Sequence, residues 1–167
     1  LLIYNDYQNE VPKKRDKMLR LVDSLQSQGV PIHAVGLQAH YEIDRVPFED
    51  LEQTIVAVKQ RGLKVVISEL DIDLIHRSRW WAENGKHREA LAQQNPYAEG
   101  APVDVLERQA DQYGRLFNIF VKHADTIARV SFWNLHDGES WLNSFPWPRV
   151  NHPLLFDRNR EPKSAHT

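Results

Sequence analysis

Apolar residues in this chain fall into short continuous runs separated by longer stretches with helical spacing. Leu1, Leu2, Ile3 and Tyr4 form a run that stops at the turn signal Asn5-Asp6, which predicts a strand. Over 13–28, Met18, Leu21, Val22 and Leu25 recur at i, i+3, i+4 and i+7, predicting an amphipathic helix ended by Gly29 and Pro31. A second run covers 32–37. A second helix is expected over 48–61, with Leu51, Ile55 and Val58 on one face and Gly62 closing a basic last turn. The third run, 63–70, contains the strongly strand-like Val65-Val66-Ile67. Residues 71–102 hold Trp80, Trp81, Gly85, Pro96, Gly100 and Pro102 and read as loop-rich. A third helix follows over 103–124, striped by Tyr113, Leu116, Phe117 and Phe120. The fourth strand is expected over 127–133. A loop with Trp141 and Trp147 then precedes a short apolar piece at 154–156.

Strand and helix alternate throughout, which implies an α/β fold of parallel strands with crossover helices. A doubly wound sheet and a (β/α)8 barrel both satisfy that order. No glycine-rich phosphate loop follows any strand, which weakens the nucleotide-binding alternative. A barrel takes about 250 residues, and four strands are half of its eight. Both ends read as cut: Leu1 opens directly on a strand, and the chain stops shortly after Pro162. Residues 1–167 are therefore expected to be one truncated half-domain.

Composition narrows the function classes. A net charge of -2 provides no broad basic field for nucleic acid. No apolar run approaches the roughly 18 residues of a membrane span. With no cysteine, disulfides and thiolate metal sites are excluded. His33, His40, Glu69, Asp71 and His136 include metal-ligand types but lack a compact ligand spacing, so no metal is expected.

Polar residues cluster where each run ends: Tyr4-Asn5-Asp6-Tyr7, Gln38-Ala39-His40, Glu69-Leu70-Asp71 and Trp133-Asn134-Leu135-His136-Asp137. Parallel strands deliver their C-terminal ends to one rim, so these groups are expected to meet there. Gln38 and His40 are two apart, as are Glu69 and Asp71, and on extended chain such pairs face the same way. Taken singly, each residue has a plainer reading. A strand-end carboxylate is a helix cap, a histidine is ordinary surface, Trp133 and Trp141 are packing, and Lys59, Arg61 and Lys64 are a solvated helix end. Four polar endings in succession are what favour a site.

These segments resemble family 10 glycoside hydrolases, the endo-β-1,4-xylanases. Ile67-Ser68-Glu69-Leu70-Asp71 looks like the family's nucleophile segment, and Gly36-Leu37-Gln38-Ala39-His40 like the strand end before it. Leu2-Ile3-Tyr4-Asn5-Asp6-Tyr7 resembles the fifth strand. Phe132-Trp133-Asn134-Leu135-His136-Asp137 with Ser140-Trp141 resembles the eighth. Pro153-Leu154-Leu155-Phe156-Asp157 with Pro162-Lys163 resembles the closing segment. The five motifs occur in order over nearly the whole chain.

The resemblance implies the C-terminal half of a (β/α)8 TIM barrel that hydrolyses internal β-1,4 bonds of xylan with retention and without a cofactor. Glu69 is then the nucleophile, His40 its hydrogen-bond partner and Asp71 the support of His40. Gln38 lines the site, Trp133 and Trp141 wall the sugar, and Tyr7 lies toward the leaving group. The acid/base glutamate belongs to a segment before this chain, so an N-terminal half carrying it is the expected partner, with xylan or xylo-oligosaccharide as substrate. Asn134 stands where the family usually has Gly, and the loop with Trp80 and Trp81 implies an extended wall on the leaving-group side. A secreted, periplasmic or cell-surface location follows from the family alone. The alternatives are another retaining barrel glycosidase of cellulase or β-glucosidase type, and a non-catalytic carbohydrate-binding or assembly fragment. By itself such a half is expected to aggregate, dimerise or stay partly molten, because its sheet edges and inner face are uncovered.

Overall fold

The computed structural model describes residues 1–166. They group into two compact units. The first comprises Leu1–His40, Pro47–Leu70 and Arg115–Phe132; the second comprises Tyr41–Val46, Asp71–Gly114 and the residues from Trp133 onward. Strands β1 (Ile3–Asp6), β2 (Ala34–Leu37), β3 (His40–Glu42), β4 (Lys64–Asp73) and β5 (Ile127–Phe132) are accompanied by helices α1 (Pro12–Ser27), α2 (Phe48–Lys59), α3 (Arg88–Ala92) and α4 (Val103–Lys122).

In the first unit β1, β2, β4 and β5 pair in parallel in that order. The register runs from Ile3 opposite Ala34 to Asp6 opposite Leu37, and from Ala34 opposite Lys64 to Leu37 opposite Ile67. Val65 faces Ile127 and Leu70 faces Phe132. The parallel α/β sheet expected of half a (β/α)8 barrel is thus present. Val35, Leu37, Val65, Ile67 and Leu70 are buried, as are Met18 and Val22 of α1, Leu51, Ile55 and Val58 of α2, and Leu116 and Phe120 of α4. Each contributes roughly 1.5–3 kcal/mol of apolar transfer, more than any single polar contact at the surface.

Local signals set the helix limits. Pro12 opens α1, where its missing N–H has no intrahelical partner anyway. Gly29 (φ 72°) closes it, and Val30 N–H donates back to Leu25 O at 3.0 Å. Glu49 and Asp50 in the first turn of α2 and Lys59 in its last complement the helix dipole. The basic end is not merely solvated. Arg61 forks onto Asp23 at 2.6 and 3.0 Å, and Lys59 pairs with Asp125 at 2.5 Å.

Three details depart from the sequence pattern. Leu21 is 41% exposed, because Met18 and Val22 centre the buried stripe and Leu21 lies about 100° around the helix from Val22. β3 was not visible in the pattern. The second run, 32–37, holds β2 as expected, but the extended chain expected over 38–40 is broken by Ala39 (φ 62°), which separates β2 from β3. Gln38 and His40 therefore do not face alike by strand alternation. Finally, β4 continues to Asp73, with Leu70 and Ile72 fully buried.

The second unit is organised by two buried carboxylates. Asp73, fully buried, accepts from Arg77 Nη1 (2.6 Å), Arg149 Nη2 (2.8 Å), Asn151 Nδ2 (2.5 Å) and the Ile75 amide (2.8 Å). Asp137, also fully buried, accepts from the Leu154 amide at 2.8 Å and Lys163 Nζ at 3.1 Å. A buried charge has to be matched in this way, and each carboxylate thereby gathers segments far apart in sequence. From α4, Gln109 donates to His152 O (2.8 Å) and Tyr113 to Pro153 O (2.6 Å). Burial, reinforced by the charges of Asp71 and Asp137, pushes the Tyr113 hydroxyl well above its ordinary range, so it stays a donor. The loop-rich stretch carries two short 3-10 turns and α3. Trp80 does not stand free as a wall: it stacks on buried Trp147 (5.2 Å, 22°), beside Ile75, Leu91 and Tyr97. Trp81 remains half exposed.

Candidate active site

In the first unit the carboxylate of Glu69 is held on both oxygens. His40 Nε2 lies 3.2 Å from Oε2, and Asn5 Nδ2 donates to Oε1 at 3.0 Å. Asn5 is itself oriented: the Ser68 hydroxyl donates to its Oδ1 at 2.8 Å, so the amide nitrogen is turned toward Glu69. The carboxylate and imidazole side chains are each only 13% exposed. An acceptor held in this way is fixed in direction while its charge is spread over two partners, which suits a group that must attack along one line.

Strand geometry explains how neighbouring residues reach the same partner. In a regular strand Ser68 and Glu69 point to opposite faces. Here β4 holds one more residue than β5 between the pairs Ile67–Val130 and Leu70–Phe132, a bulge at 68–69. Bulges re-aim side chains, and this one presents both to Asn5. Asn5 sits two strands away, opposite Gly36, which in turn is opposite Val66. Gly36 supplies the passage: a Cβ there would meet Asn5 Oδ1 at 2.4 Å.

Gln38 meets Glu69 through the backbone, its carbonyl accepting the Glu69 amide at 3.1 Å. Tyr7 lies just past β1 and is 57% exposed. The other expected residues belong to the second unit. There Trp141 Nε1 donates to Asp71 Oδ2 at 2.8 Å, and the Trp141 amide donates to Asn134 Oδ1 at 3.3 Å. Asn134, expected only as a departure at a glycine position, thus anchors the Trp141 backbone. Trp141 also stacks on Phe145 (4.9 Å, 23°). Trp133, after β5, is half exposed. Sequence reasoning missed Asn5 as a partner of Glu69 and Ser68 as the group that orients Asn5. The available signal was a glycine in the strand between an asparagine and a carboxylate. Among the described residues no group of three His, Cys, Asp or Glu side chains is placed to hold a metal ion, and no helix is long and apolar enough to cross a membrane.

Comparison with known proteins matches residues 1–167 to the model of glycosyl hydrolase family 10. An endo-1,4-beta-xylanase of Geobacillus stearothermophilus is 38% identical over 167 residues, covering 99% of this chain and 46% of that protein. A thermostable celloxylanase of Thermoclostridium stercorarium is 37% identical over 98% of this chain and 39% of its own length. Among solved structures, a GH10 endoxylanase from a sugarcane soil metagenome superposes with a TM-score of 0.87 at 41% identity, covering 99% of this chain and 47% of that one. The chain therefore spans about half the length of the relatives it matches.

Proposed function

The chain belongs to glycosyl hydrolase family 10, and from that membership we propose that it supplies the nucleophile half of a retaining endo-β-1,4-xylanase. Retaining hydrolysis takes two carboxyl groups about 5–5.5 Å apart, one to attack the anomeric carbon and one to protonate the leaving oxygen and then activate water. Glu69 is the nucleophile. The acid/base glutamate comes from an N-terminal half of the barrel, the partner this chain needs. The observation that carries the assignment is the Glu69 carboxylate bound by His40 on one oxygen and Asn5 on the other.

The remaining roles follow from the family resemblance and the local contacts. The family resemblance gives Asp71 as the support of His40, and within its own unit Asp71 accepts from the Trp141 indole. Trp133 and Trp141 offer flat apolar faces to a xylose ring, Gln38 lines the nucleophile, and Tyr7 binds on the leaving-group side. An enzyme acting on a cell-wall polymer works outside the cytoplasm, so secretion or surface attachment is the proposed location.

The test is covalent trapping in the complete barrel with a 2-deoxy-2-fluoro-xylobioside bearing a good leaving group. Fluorine slows release of the glycosyl-enzyme, so mass spectrometry of the peptide containing Glu69 should find the xylobiosyl adduct. Glu69→Ala should abolish both label and turnover. A label on another carboxylate, or full activity in Glu69→Ala, excludes the assignment. The celloxylanase relative favours a second reading in which β-1,4-glucan is also cleaved. Equal rates on aryl cellobioside and aryl xylobioside would establish it.

A further inference from the structure

Tyr7 follows β1 on a turn in which Gln8 is left-handed (φ 53°). An exposed phenol on such a turn has no fixed plane unless something holds it. Lys14, in the first turn of α1, holds it from three directions. Its ammonium lies 3.5 Å from the centre of the Tyr7 ring. It also pairs with Asp6 Oδ2 at 3.0 Å and donates to the Tyr7 carbonyl. Asp6 closes the assembly, its Oδ1 accepting the Tyr7 amide at 2.8 Å and its Oδ2 the Tyr4 hydroxyl at 3.1 Å. The ammonium is matched by Asp6, so it is not a spare charge offered to an anionic sugar.

We propose that Lys14 is a positioning residue for the leaving-group side. It fixes the plane of Tyr7 and covers one ring face, so that a pyranose stacks only on the other. The proposal rests on the reading of Tyr7 as a sugar-binding residue and deepens it. A cation on an aromatic face is attracted by the ring quadrupole, and here it is tethered at two further points. Tyr7 therefore meets the sugar already oriented, which reduces the ordering cost of binding. The consequence is selective: substrates with a sugar on the leaving-group side depend on Lys14, and those with only an aryl leaving group do not.

The test uses the complete barrel with Lys14→Met, which keeps the apolar stem, Lys14→Arg, which keeps a cation, and Tyr7→Ala. Lys14→Met should raise KM for xylohexaose about three- to tenfold with kcat within about twofold, the range of a lost cation–π contact. It should leave an activated aryl xylobioside unchanged, and Lys14→Arg should restore the xylohexaose KM. Equal losses on both substrates, or none on either, overturn the proposal. If Tyr7→Ala raises KM for xylohexaose and Lys14→Met does not, only Lys14 is misassigned. If Tyr7→Ala has no effect, the sugar-binding reading of Tyr7 falls, and the proposal with it.

Discussion

Gly36→Ala should damage the candidate active site while leaving the backbone of β2 at ease. Gly36 does not occupy the positive-φ region, so alanine is allowed there and ordinarily stabilises a strand relative to glycine. Its Cβ, however, would lie 2.4 Å from Asn5 Oδ1 and 3.0 Å from Asn5 Cβ and Cγ. Restoring ordinary contact moves the amide by about 1 Å, since carbon and oxygen pack near 3.4 Å or beyond. The Ser68 bond to Oδ1 (2.8 Å) and the Asn5 bond to Glu69 (3.0 Å) then both stretch past bonding range. A hydrogen bond to a charged group is worth about 1.5–3 kcal/mol. If it orients Glu69 for attack, kcat/KM should fall about 10- to 150-fold. The assay is kcat/KM on xylohexaose in the complete barrel, with thermal unfolding run alongside to show an intact fold. A double-mutant cycle isolates the cause. Asn5→Ala removes the closest clashing atoms, Oδ1 and Cγ, together with the bond and leaves only Cβ at 3.0 Å, so Gly36→Ala in that background should cost little more activity. Activity within twofold of the parent, or losses that simply add in the double variant, would refute the reasoning.

Asp73→Ala leaves Arg77 and Arg149 buried without their shared anion, so the complete barrel should lose about 3–5 kcal/mol in urea titration. Trp147→Ala removes a side chain only 2% exposed and the partner on which Trp80 stacks. A loss of about 3–5 kcal/mol is expected, and one below about 1 kcal/mol would show that the surrounding loops collapse to fill the gap. For Glu10, burial pushes the carboxyl above its ordinary 4.5, outweighing its own amide, Lys14 and His40. The folded state keeps a proton that the unfolded chain has released, so this group's contribution to stability falls as pH rises from 4.5 through the raised value. Glutamine cannot titrate, so the Tm of Glu10→Gln relative to the parent should become more favourable between about pH 4 and pH 7. A pH-independent difference would contradict the burial argument.

The elements read well where local periodicity and core burial agree. Leu51, Ile55 and Val58 are spaced for one face of α2 and are all buried, and Val65, Val66 and Ile67 are buried in the first half of β4. What stayed hidden depends on partners that no local pattern marks. Ala39 takes a positive φ that nothing in alanine's propensities announces, so the break between β2 and β3 could not be read. Asp73 and Asp137 look like loop carboxylates along the chain. Only the fold brings Asn151 and Arg149 to the first, 78 and 76 positions away, and Lys163 to the second.

The same distinction runs through the candidate site. Glu69 and His40 stand in strand-end motifs and could be named from their neighbours. The groups that orient Glu69 could not, because they act across strands. Asn5 is 64 residues away and reaches the carboxylate only because Gly36 has no side chain and the bulge in β4 turns Ser68 and Glu69 to one side. The motif marks the carboxylate, and the defects in the sheet supply its direction. Those defects, a missing Cβ and one extra residue, lie wholly within the strands of this chain. The contacts that orient Glu69 therefore come from this chain itself, through Asn5, the Ser68 hydroxyl that turns it, and His40.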